Sequence, residues 1–411
     1  MGVLVLGAAG GGCALSHQLG GAGDAVVSTG AALCTQGETE PLFLKESTDR
    51  ILQGGDVIVG GFGDRVFAFW IENRDGRTAT VGAELNAETA ALERTFDVFP
   101  EALPYEEKAG WFAGAFAAGE RLALYWTNDG LAVPREFRVS YLDPDSGDVL
   151  STVTLSPADA VARVVAGPDD SHTVLFRQEA NHERVRLDFD GNVVEREELP
   201  IPTEMDGNHV SASIAAGRAG YAVPVATYGT DGNALSLFLG DGEGEPQRQD
   251  LRSAMYVRAP SAVYFDGGGR GEGRGDGDER LFVGATVDKR GTIFRIDGDS
   301  VDEFALSTGQ TWGQSLATSD AGLLSLVTEA ETHNLRLRVI DPQNGEVLQV
   351  EPIRDADGCK GAGNGYVEVE DFDILGGAHP VVVWSENCGT PESFVRGLYA
   401  TRFDCSVPGL L

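Results

Sequence analysis

The sequence predicts an all-β protein built from repeated four-stranded units, and three features of the chain predict this class. Short runs rich in β-branched and aromatic residues recur seven times, with starts 43 to 59 residues apart. A second run and a small turn precede each of them, and a third run follows. No helical periodicity interrupts the pattern. Four short strands per unit at a near-constant spacing are typical of a β-propeller, in which sheets stacked around an axis complete one another's cores.

The seven runs are assigned as the second strand of each unit: VFAFWIE (66–72), LALYWTN (122–128), TVLFRQE (173–179), YAVPVAT (221–227), RLFVGAT (280–286), LLSLVTE (323–329) and VVVWSE (381–386). The third strands that we predict include 137–143, 185–190, 293–297, 335–341 and 397–404. The runs before the second strands are rich in alanine, glycine and serine, which fits the crowded centre of a propeller. Equivalent placement of Trp70, Trp126 and Trp384 in their runs predicts packing between sheets.

The last unit lacks a fourth strand of its own, because the chain ends soon after Cys405. The β-like segment 41–47 precedes the first unit, and pairing it with 397–404 removes two exposed sheet edges. We therefore predict a seven-bladed β-propeller closed by an N-terminal strand that completes the last blade. The propeller domain is assigned to 36–411, with a flexible glycine-rich insertion over 266–279, and 1–35 is assigned as a leader segment and linker.

The chain is strongly acidic, with 64 Asp and Glu against 31 Lys and Arg and a net charge of −33. Such a field repels phosphate backbones and anionic headgroups, so nucleic acid and electrostatic membrane binding are excluded as partner classes. The 42% of hydrophobic residues is enough for a sizeable core. Only four basic residues are lysines, which fits a saline or extracellular setting or a genome bias towards arginine.

The N-terminus has an apolar run that ends in small residues at Cys13. This pattern resembles the secretory signal and lipobox of a bacterial lipoprotein. The resemblance implies acylation of Cys13 and an extracytoplasmic protein, lipid-anchored to a bacterial membrane or secreted. A plain glycine-rich start remains the alternative. A lipid anchor is the only membrane contact that we expect.

The number of cysteines supports export, because the four that remain besides Cys13 can form two disulfides. Ring closure places Cys34 and Cys405 on one rim, whereas Cys359 and Cys388 lie in loops of the opposite rim. We therefore predict the disulfides Cys34–Cys405 and Cys359–Cys388 over the two other connectivities. Five thiols in a cytosolic protein remain the alternative, and no cysteine spacing fits a metal site.

Two predicted turns, Asp143–Asp148 and Asp341–Glu346, resemble those of quinoprotein-like bacterial propeller repeats. The resemblance implies the fold alone, and we expect no cofactor. The spacing of the aspartates in the first turn is also similar to that in the calcium-binding loop of an EF-hand, but this turn is one residue short and lacks the downstream glutamate. Turn geometry therefore explains these aspartates, with weak calcium binding as the alternative.

The rim that carries Cys359 and Cys388 is the expected central mouth, and His182, His209 and His333 fall on it. Asp206 and His209 lie in a loop before an innermost strand, so they are the candidates for acid–base catalysis. The alternative is that both are solvated loop residues. No nucleophile elbow, phosphate-binding loop or HExxH motif occurs in the sequence.

Two functional hypotheses follow, and whether the protein is an enzyme stays open. We favour a non-enzymatic, monomeric envelope or secreted propeller that is a rigid scaffold for a protein or glycan partner. The alternative is a polysaccharide-acting hydrolase or lyase with its site at the central mouth, which rests on analogy between folds. Its candidate carboxylates are Glu106, Glu107, Asp206, Asp355 and Asp357.

Overall fold

All regular secondary structure in the described part of the chain is β-strand. The structure, a computed structural model, describes residues 33–47, 57–74, 77–99, 109–128, 136–156, 163–167, 171–177, 181–202, 204–205, 208–218, 220–227, 233–242, 244–266, 279–306, 310–319, 321–329, 334–354, 366–390 and 393–405. Within these ranges no helix is long and apolar enough to cross a membrane. The predicted insertion lies outside them except at its ends, Asp266 and Glu279, which pair with each other.

The first half of the described chain contains β1 (Cys34–Ser47), β2 (Ile58–Phe62), β3 (Arg65–Arg74), β4 (Arg77–Leu85), β5 (Leu92–Asp97), β6 (Ala109–Ala118), β7 (Arg121–Asn128), β8 (Phe137–Leu142), β9 (Val149–Ser156), β10 (Arg163–Ala166), β11 (His172–Arg177), β12 (Asn181–Leu187), β13 (Val193–Pro202), β14 (Glu204–Met205) and β15 (Asn208–Ala212). The second half contains β16 (Ala215–Gly217), β17 (Gly220–Thr227), β18 (Asn233–Gly240), β19 (Gln247–Ala254), β20 (Val257–Asp266), β21 (Glu279–Val287), β22 (Arg290–Asp297), β23 (Ser300–Ala305), β24 (Thr311–Ser319), β25 (Gly322–Glu329), β26 (Leu335–Ile340), β27 (Val347–Arg354), β28 (Tyr366–Leu375), β29 (Val381–Thr390) and β30 (Ser393–Cys405).

These strands form successive antiparallel meanders, which are numbered here in chain order. The first six contain β2–β5, β6–β9, β10–β13, β15–β19, β20–β23 and β24–β27, and the last contains β28–β30 with β1. In the fourth meander β15 and β16 both pair with β17, and the short β14 pairs with β15. One parallel pair, between Gly61 and Phe116, joins the first two meanders into an eight-stranded sheet.

The meanders are arranged around a common centre. The first strand of each contacts the first strand of the next, and in the fourth meander β16, which follows β15 along the same edge of β17, makes these contacts. β2 lies beside β6, β6 beside β10, β10 beside β16, β16 beside β20, β20 beside β24, β24 beside β28, and β28 beside β2. Radial stacking of antiparallel meanders in this way is the architecture of a β-propeller. The predicted all-β class and propeller architecture are therefore confirmed.

The centre is as crowded as the small residues of the first strands indicate. At Gly60 in β2, an added Cβ would lie 2.4 Å from the carbonyl oxygen of Ala115 in β6. No side chain fits at that distance, so the close approach of β2 and β6 requires glycine.

The core lies between neighbouring meanders. Trp70, Trp126 and Trp384 are all buried, and each belongs to a cluster that contains strands of two meanders. Their indole N–H groups donate to Glu72, Ser140 and Glu386, so burial leaves no indole donor without an acceptor. The prediction that these tryptophans pack between sheets is confirmed.

Three predicted third strands end earlier than expected. The predictions 137–143, 185–190 and 335–341 extend one to three residues too far, because β8, β12 and β26 end before Asp143, Asp188 and Asp341. In each case the carboxylate accepts a hydrogen bond from the backbone N–H two residues later, at 2.7 to 3.0 Å. This bond begins the turn and ends the strand.

The N-terminal strand pairs with β30, as the pattern predicted for 41–47, but β1 is longer and begins at Cys34. Cys34 and Cys405 are direct cross-strand partners and form a disulfide. The predicted Cys34–Cys405 bridge is therefore confirmed. Cys13 and Cys359 lie outside the described residues. Cys388 lies in β29 rather than in the loop predicted for it, because this strand continues to Thr390. The structure does not describe its side chain, so the second predicted disulfide stays a prediction.

Candidate functional site

The predicted mouth residues lie largely outside the described part of the chain. Asp206 and His333 are outside it, as are the candidate carboxylates Glu106, Glu107, Asp355 and Asp357. His209 lies in β15, where its backbone pairs with Glu204, and its side chain is not described. Their roles stay predictions.

His182 is buried rather than solvated, with 4% of its surface exposed. Its Nδ1 lies 3.0 Å from the carbonyl oxygen of Ile201. Burial lowers the pKa of the imidazole, and the hydrogen bond to Ile201 partly opposes this shift. His182 therefore packs within its meander instead of joining a site at the mouth.

The opposite rim, called here the turn rim, carries the turns between first and second and between third and fourth strands. An arginine at the start of a second strand repeatedly binds a carbonyl oxygen in the third-to-fourth turn of the next meander. Arg65 donates to Pro144 at 2.7 Å, Arg121 to Phe189 at 3.3 Å, and Arg280 to Pro342 at 3.3 Å. These bonds fix neighbouring meanders to one another at this rim.

A glycine in each of these turns lies against an aromatic ring of the preceding meander. Gly147 contacts Phe96, and Gly345 contacts Phe304, so closely that a Cβ would overlap the ring. The aspartate-rich turns thus lock one meander to the next in addition to reversing the chain.

We expect Gly147→Ala to lower the free energy of unfolding by about 2–4 kcal/mol, because it combines left-handed strain with steric overlap. Gly147 has a φ of +83°, and its Cβ would lie 2.3 Å from Cδ2 of Phe96. Gly63→Ala is the matched control, since Gly63 has a φ of +62° with nothing within 4 Å. That variant should lose only about 1 kcal/mol. Equal losses in urea unfolding would contradict the docking of the turn on Phe96.

A groove of about 790 Å³ opens on the turn rim across the first three meanders. It is lined by Phe62, Ala118, Gly119, Glu120, Arg121, Asp143, Pro144, Asp145, Leu150, Phe189 and Asp190. These residues come from the end of β2, the turn between β6 and β7 with the strand residues that flank it, the turn after β8 with the start of β9, and the turn after β12. This feature is called the rim groove below.

Two apolar side chains of the rim groove face solvent. Leu150 is 56% exposed and Phe189 is 48% exposed. The backbone under Phe189 is fixed, because Arg121 binds its carbonyl oxygen and Asp188 binds the N–H groups of Asp190 and Asn192. Leu150 lies in β9, which pairs with β8. The side chains are therefore presented to solvent by a preformed surface, which is a common property of binding sites.

The rim groove is also acidic. Asp145 and Asp190 bind Arg65 and Arg121 at 2.7 and 3.1 Å, yet their side chains are 87% and 57% exposed. Hydrogen bonds from Asn192 lower the pKa of the neighbouring Asp188, and the bond from the Asn192 side chain has the largest effect. Glu120 is exposed at the groove edge. The groove thus combines apolar walls with carboxylates that stay accessible.

A second charged feature lies at the centre, where β28 of the last meander meets β2 of the first. Asp371 accepts a hydrogen bond from the Val57 N–H at 2.7 Å, and Asp373 accepts one from Val59 at 2.9 Å. Burial raises the pKa of Asp373 to about 6, while the N–H groups of Val59 and Ile374 and the charge of Arg163 oppose the shift. In the described residues, no group of three His, Cys, Asp or Glu is placed to hold a metal ion.

The raised pKa of Asp373 predicts a pH-dependent stability term. The folded pKa of about 6 lies above the ordinary value of 3.8, so the folded state binds this proton more tightly than the unfolded state. The contribution of this group is greatest below pH 3.8 and is lost as the pH rises to 6, by on the order of 2–3 kcal/mol. Asp373→Asn removes the titration and keeps an acceptor for Val59. We expect the stability of the wild type relative to this variant to fall over that window in denaturant unfolding, and parallel pH curves would contradict it.

Sequence reasoning missed the rim groove. One signal was available, because Phe189 interrupts an otherwise polar turn, DFDGN (188–192). Leu150 carries no such signal, since an outer strand of alternating residues contains apolar side chains on either face.

No protein-family model and no curated protein sequence matches the chain. Among solved structures, it is similar to a protein of unknown function from Dyadobacter fermentans, with 8% identity, a TM-score of 0.49, and coverage of 92% of this chain and 100% of that one. It is similar to the Dos1 propeller, with 9% identity, a TM-score of 0.47, and coverage of 90% and 96%. It is also similar to a prolyl endopeptidase, with 13% identity, a TM-score of 0.47, and coverage of 82% of this chain. This chain spans about half, 47%, of that enzyme. We take the fold from the strand pairing itself and draw nothing about function from these neighbours.

Proposed function

We propose that this protein is a non-enzymatic binding module outside the cytoplasm, a rigid seven-bladed β-propeller that holds a protein partner at the rim groove. In this proposal each meander is one blade, and β1 completes the last blade and closes the ring. The cyclic contacts among first strands and the pairing of β1 with β30 support the closure.

The rim groove is the observation that carries the binding role. Leu150 and Phe189 are large apolar side chains that remain about half exposed, although the surrounding turns are tied down by interblade hydrogen bonds. Covering such residues with a partner removes apolar surface from water. A preformed surface also loses little conformational freedom on binding. Both effects favour association with another molecule at this position.

The disulfide supports a location outside the cytoplasm, because such bridges persist in oxidising compartments. An intact mass measured without reductant on protein from its native cells tests this part of the proposal. We expect loss of residues 1–12, a lipid on Cys13, and two disulfides, Cys34–Cys405 and Cys359–Cys388. Loss of the leader without lipid would favour secretion. A mass equal to the full chain with free thiols would contradict export.

Capture of the partner from native cells under mild cross-linking tests the binding role. The bait is the wild-type protein beside the double variant Leu150→Ser, Phe189→Ser. Met255→Ser is the matched control, because Met255 is 89% exposed but lies between β19 and β20, away from the groove. The partner should be retained by the wild type and the control and lost from the double variant.

We expect the double variant to fold, because both replaced side chains are exposed. Circular dichroism and urea unfolding check that it does. Equal capture by all three baits would contradict a role for the rim groove. Repeated failure to capture any stoichiometric partner would contradict the binding function itself.

A further inference from the structure

We infer that the occupant of the rim groove is a basic segment of a protein partner that places one apolar side chain between Leu150 and Phe189. The inference rests on the proposed binding function and adds the chemical class of the ligand. It follows from the apolar surface of the groove and from the sign and accessibility of the charges around it.

The apolar part of the groove is suited to a single anchor residue. Phe62, Pro144, Leu150 and Phe189 line it together, and Phe189 lies against Gly119, where an added Cβ would be 3.4 Å from the ring. Gly119 therefore leaves one side of the ring close to bare backbone, and the other apolar residues supply the remaining walls. A buried aliphatic or aromatic side chain in such a pocket is a common source of binding energy.

The charges of the groove select a cation. The lining contains four carboxylates, on Glu120, Asp143, Asp145 and Asp190, against the guanidinium of Arg121 and that of Arg65, which binds Asp145 from beside the lining. A segment with Lys or Arg beside its anchor residue gains from this field, and the net charge of −33 adds a long-range attraction.

Arg121 does not reverse this preference, because its charge is already engaged. It forms an ion pair with Asp190 at 3.1 Å, and its guanidinium lies 4.4 Å from the centre of the Tyr141 ring. The guanidinium also donates to the Phe189 carbonyl oxygen. Arg121 thus holds the turn that carries the anchor pocket, while Glu120 and the exposed oxygens of Asp145 remain accessible to an incoming cation.

A glycan is the competing occupant, since an aromatic ring beside carboxylates also suits a sugar. The two ligands differ in salt dependence: a basic peptide loses affinity as salt screens the carboxylates, whereas a neutral sugar does not. The four carboxylates of the groove outnumber the two guanidinium groups that pair with them, so the peptide is the favoured class.

Fluorescence anisotropy of labelled peptides tests the inference. The probe is the pentapeptide Lys-Lys-Leu-Lys-Arg, and the comparison peptides replace its leucine with serine or its basic residues with glutamate. We expect binding of the first peptide that weakens about tenfold or more between about 50 and 500 mM NaCl. The serine peptide should bind about tenfold more weakly, and the glutamate peptide should not bind.

Substitutions inside and outside the rim groove test where the basic peptide binds. Phe189→Ser should weaken the basic peptide about tenfold, and Glu120→Lys should do so at low salt. Asp299→Lys makes the same change of charge at an exposed turn after β22 and should leave affinity within about twofold, because distant surface charges are screened. Equal losses for Glu120→Lys and Asp299→Lys would mean that the peptide senses only the net charge, which overturns the inference.

The outcomes separate this inference from the proposed function. If the peptides fail to bind but native capture still depends on Leu150 and Phe189, the binding module stands and the basic class is wrong. Salt-independent binding of a neutral oligosaccharide, lost in Phe189→Ser, likewise overturns the peptide class. Failure of both the peptides and the capture experiment removes the proposed function as well.

Discussion

Replacing Cys34 and Cys405 with alanine is expected to lower the free energy of unfolding by about 4 kcal/mol. The bridge joins positions 371 residues apart, so it restricts the unfolded chain over nearly its whole described length. Its place in the fold adds to the effect. The disulfide stands between β30 and β1, where other meanders have a covalent turn between their third and fourth strands. Without it, β1 is held to β30 by strand pairing alone, and its covalent connection to the described strands runs through the start of the first meander.

Urea unfolding of the oxidised wild type and the double variant measures this effect. A larger slope of free energy against urea is expected for the variant, since its unfolded state is less restricted. Alanine is used because Cys34 is fully buried and a serine hydroxyl there would add its own desolvation cost. The reduced wild type should lose at least as much, because reduction also opens the predicted Cys359–Cys388 bridge. A loss below about 1 kcal/mol in both comparisons would contradict a stabilising role of the bridge between β1 and β30.

The second large effect is expected from Arg354→Met, which should cost about 3–5 kcal/mol. Arg354, at the end of β27, forms a bidentate ion pair with Glu386 in β29, at 2.8 and 2.9 Å. The Glu386 side chain has no exposed surface and also accepts a hydrogen bond from the Trp384 indole. Removing the guanidinium leaves a buried carboxylate without its compensating charge, and the sixth meander loses a contact to the last.

Two controls separate this mechanism from a general loss of packing. The double variant Arg354→Met, Glu386→Gln removes the charge as well as its partner, so it should recover at least about half of the loss. Arg248→Met breaks an ion pair with Asp250 in which the side chains are 49% and 71% exposed, and it should cost below about 0.5 kcal/mol. If Arg354→Met costs no more than Arg248→Met, the buried pair does not stabilise the junction between these meanders.

The strand repeat and the Cys34–Cys405 bridge could be predicted because both follow from local patterns. Alternating β-rich runs identify strands wherever one face is buried, and the missing fourth strand of the last unit left segment 41–47 as its complement. The ends of strands were harder to predict. At Asp188 the backbone can continue to pair with the next strand, or the chain can turn while the carboxylate accepts hydrogen bonds from backbone N–H groups of the turn. Both choices satisfy the same local sequence, and the turn is selected by the docking of Gly191 against Tyr141 of the preceding meander.

The rim groove could not be predicted for a different reason. It is formed by turns of three meanders, and the hydrogen bonds that Arg65 and Arg121 make between meanders hold those turns together. These arginines look like ordinary strand-end residues in the sequence. Whether Leu150 and Phe189 line the same groove depends on the rotation between neighbouring sheets, which no single repeat encodes.

Hydrogen exchange of the protein with and without its captured partner tests whether the partner binds at the rim groove. Amides in surface turns exchange readily unless a partner covers them or rigidifies their turn. We expect the partner to slow exchange in the segments 118–121, 143–150 and 188–192, and to leave the segment 254–256 around Met255 unchanged. Protection confined to the opposite rim, or spread evenly over all turns, would contradict partner binding at the rim groove.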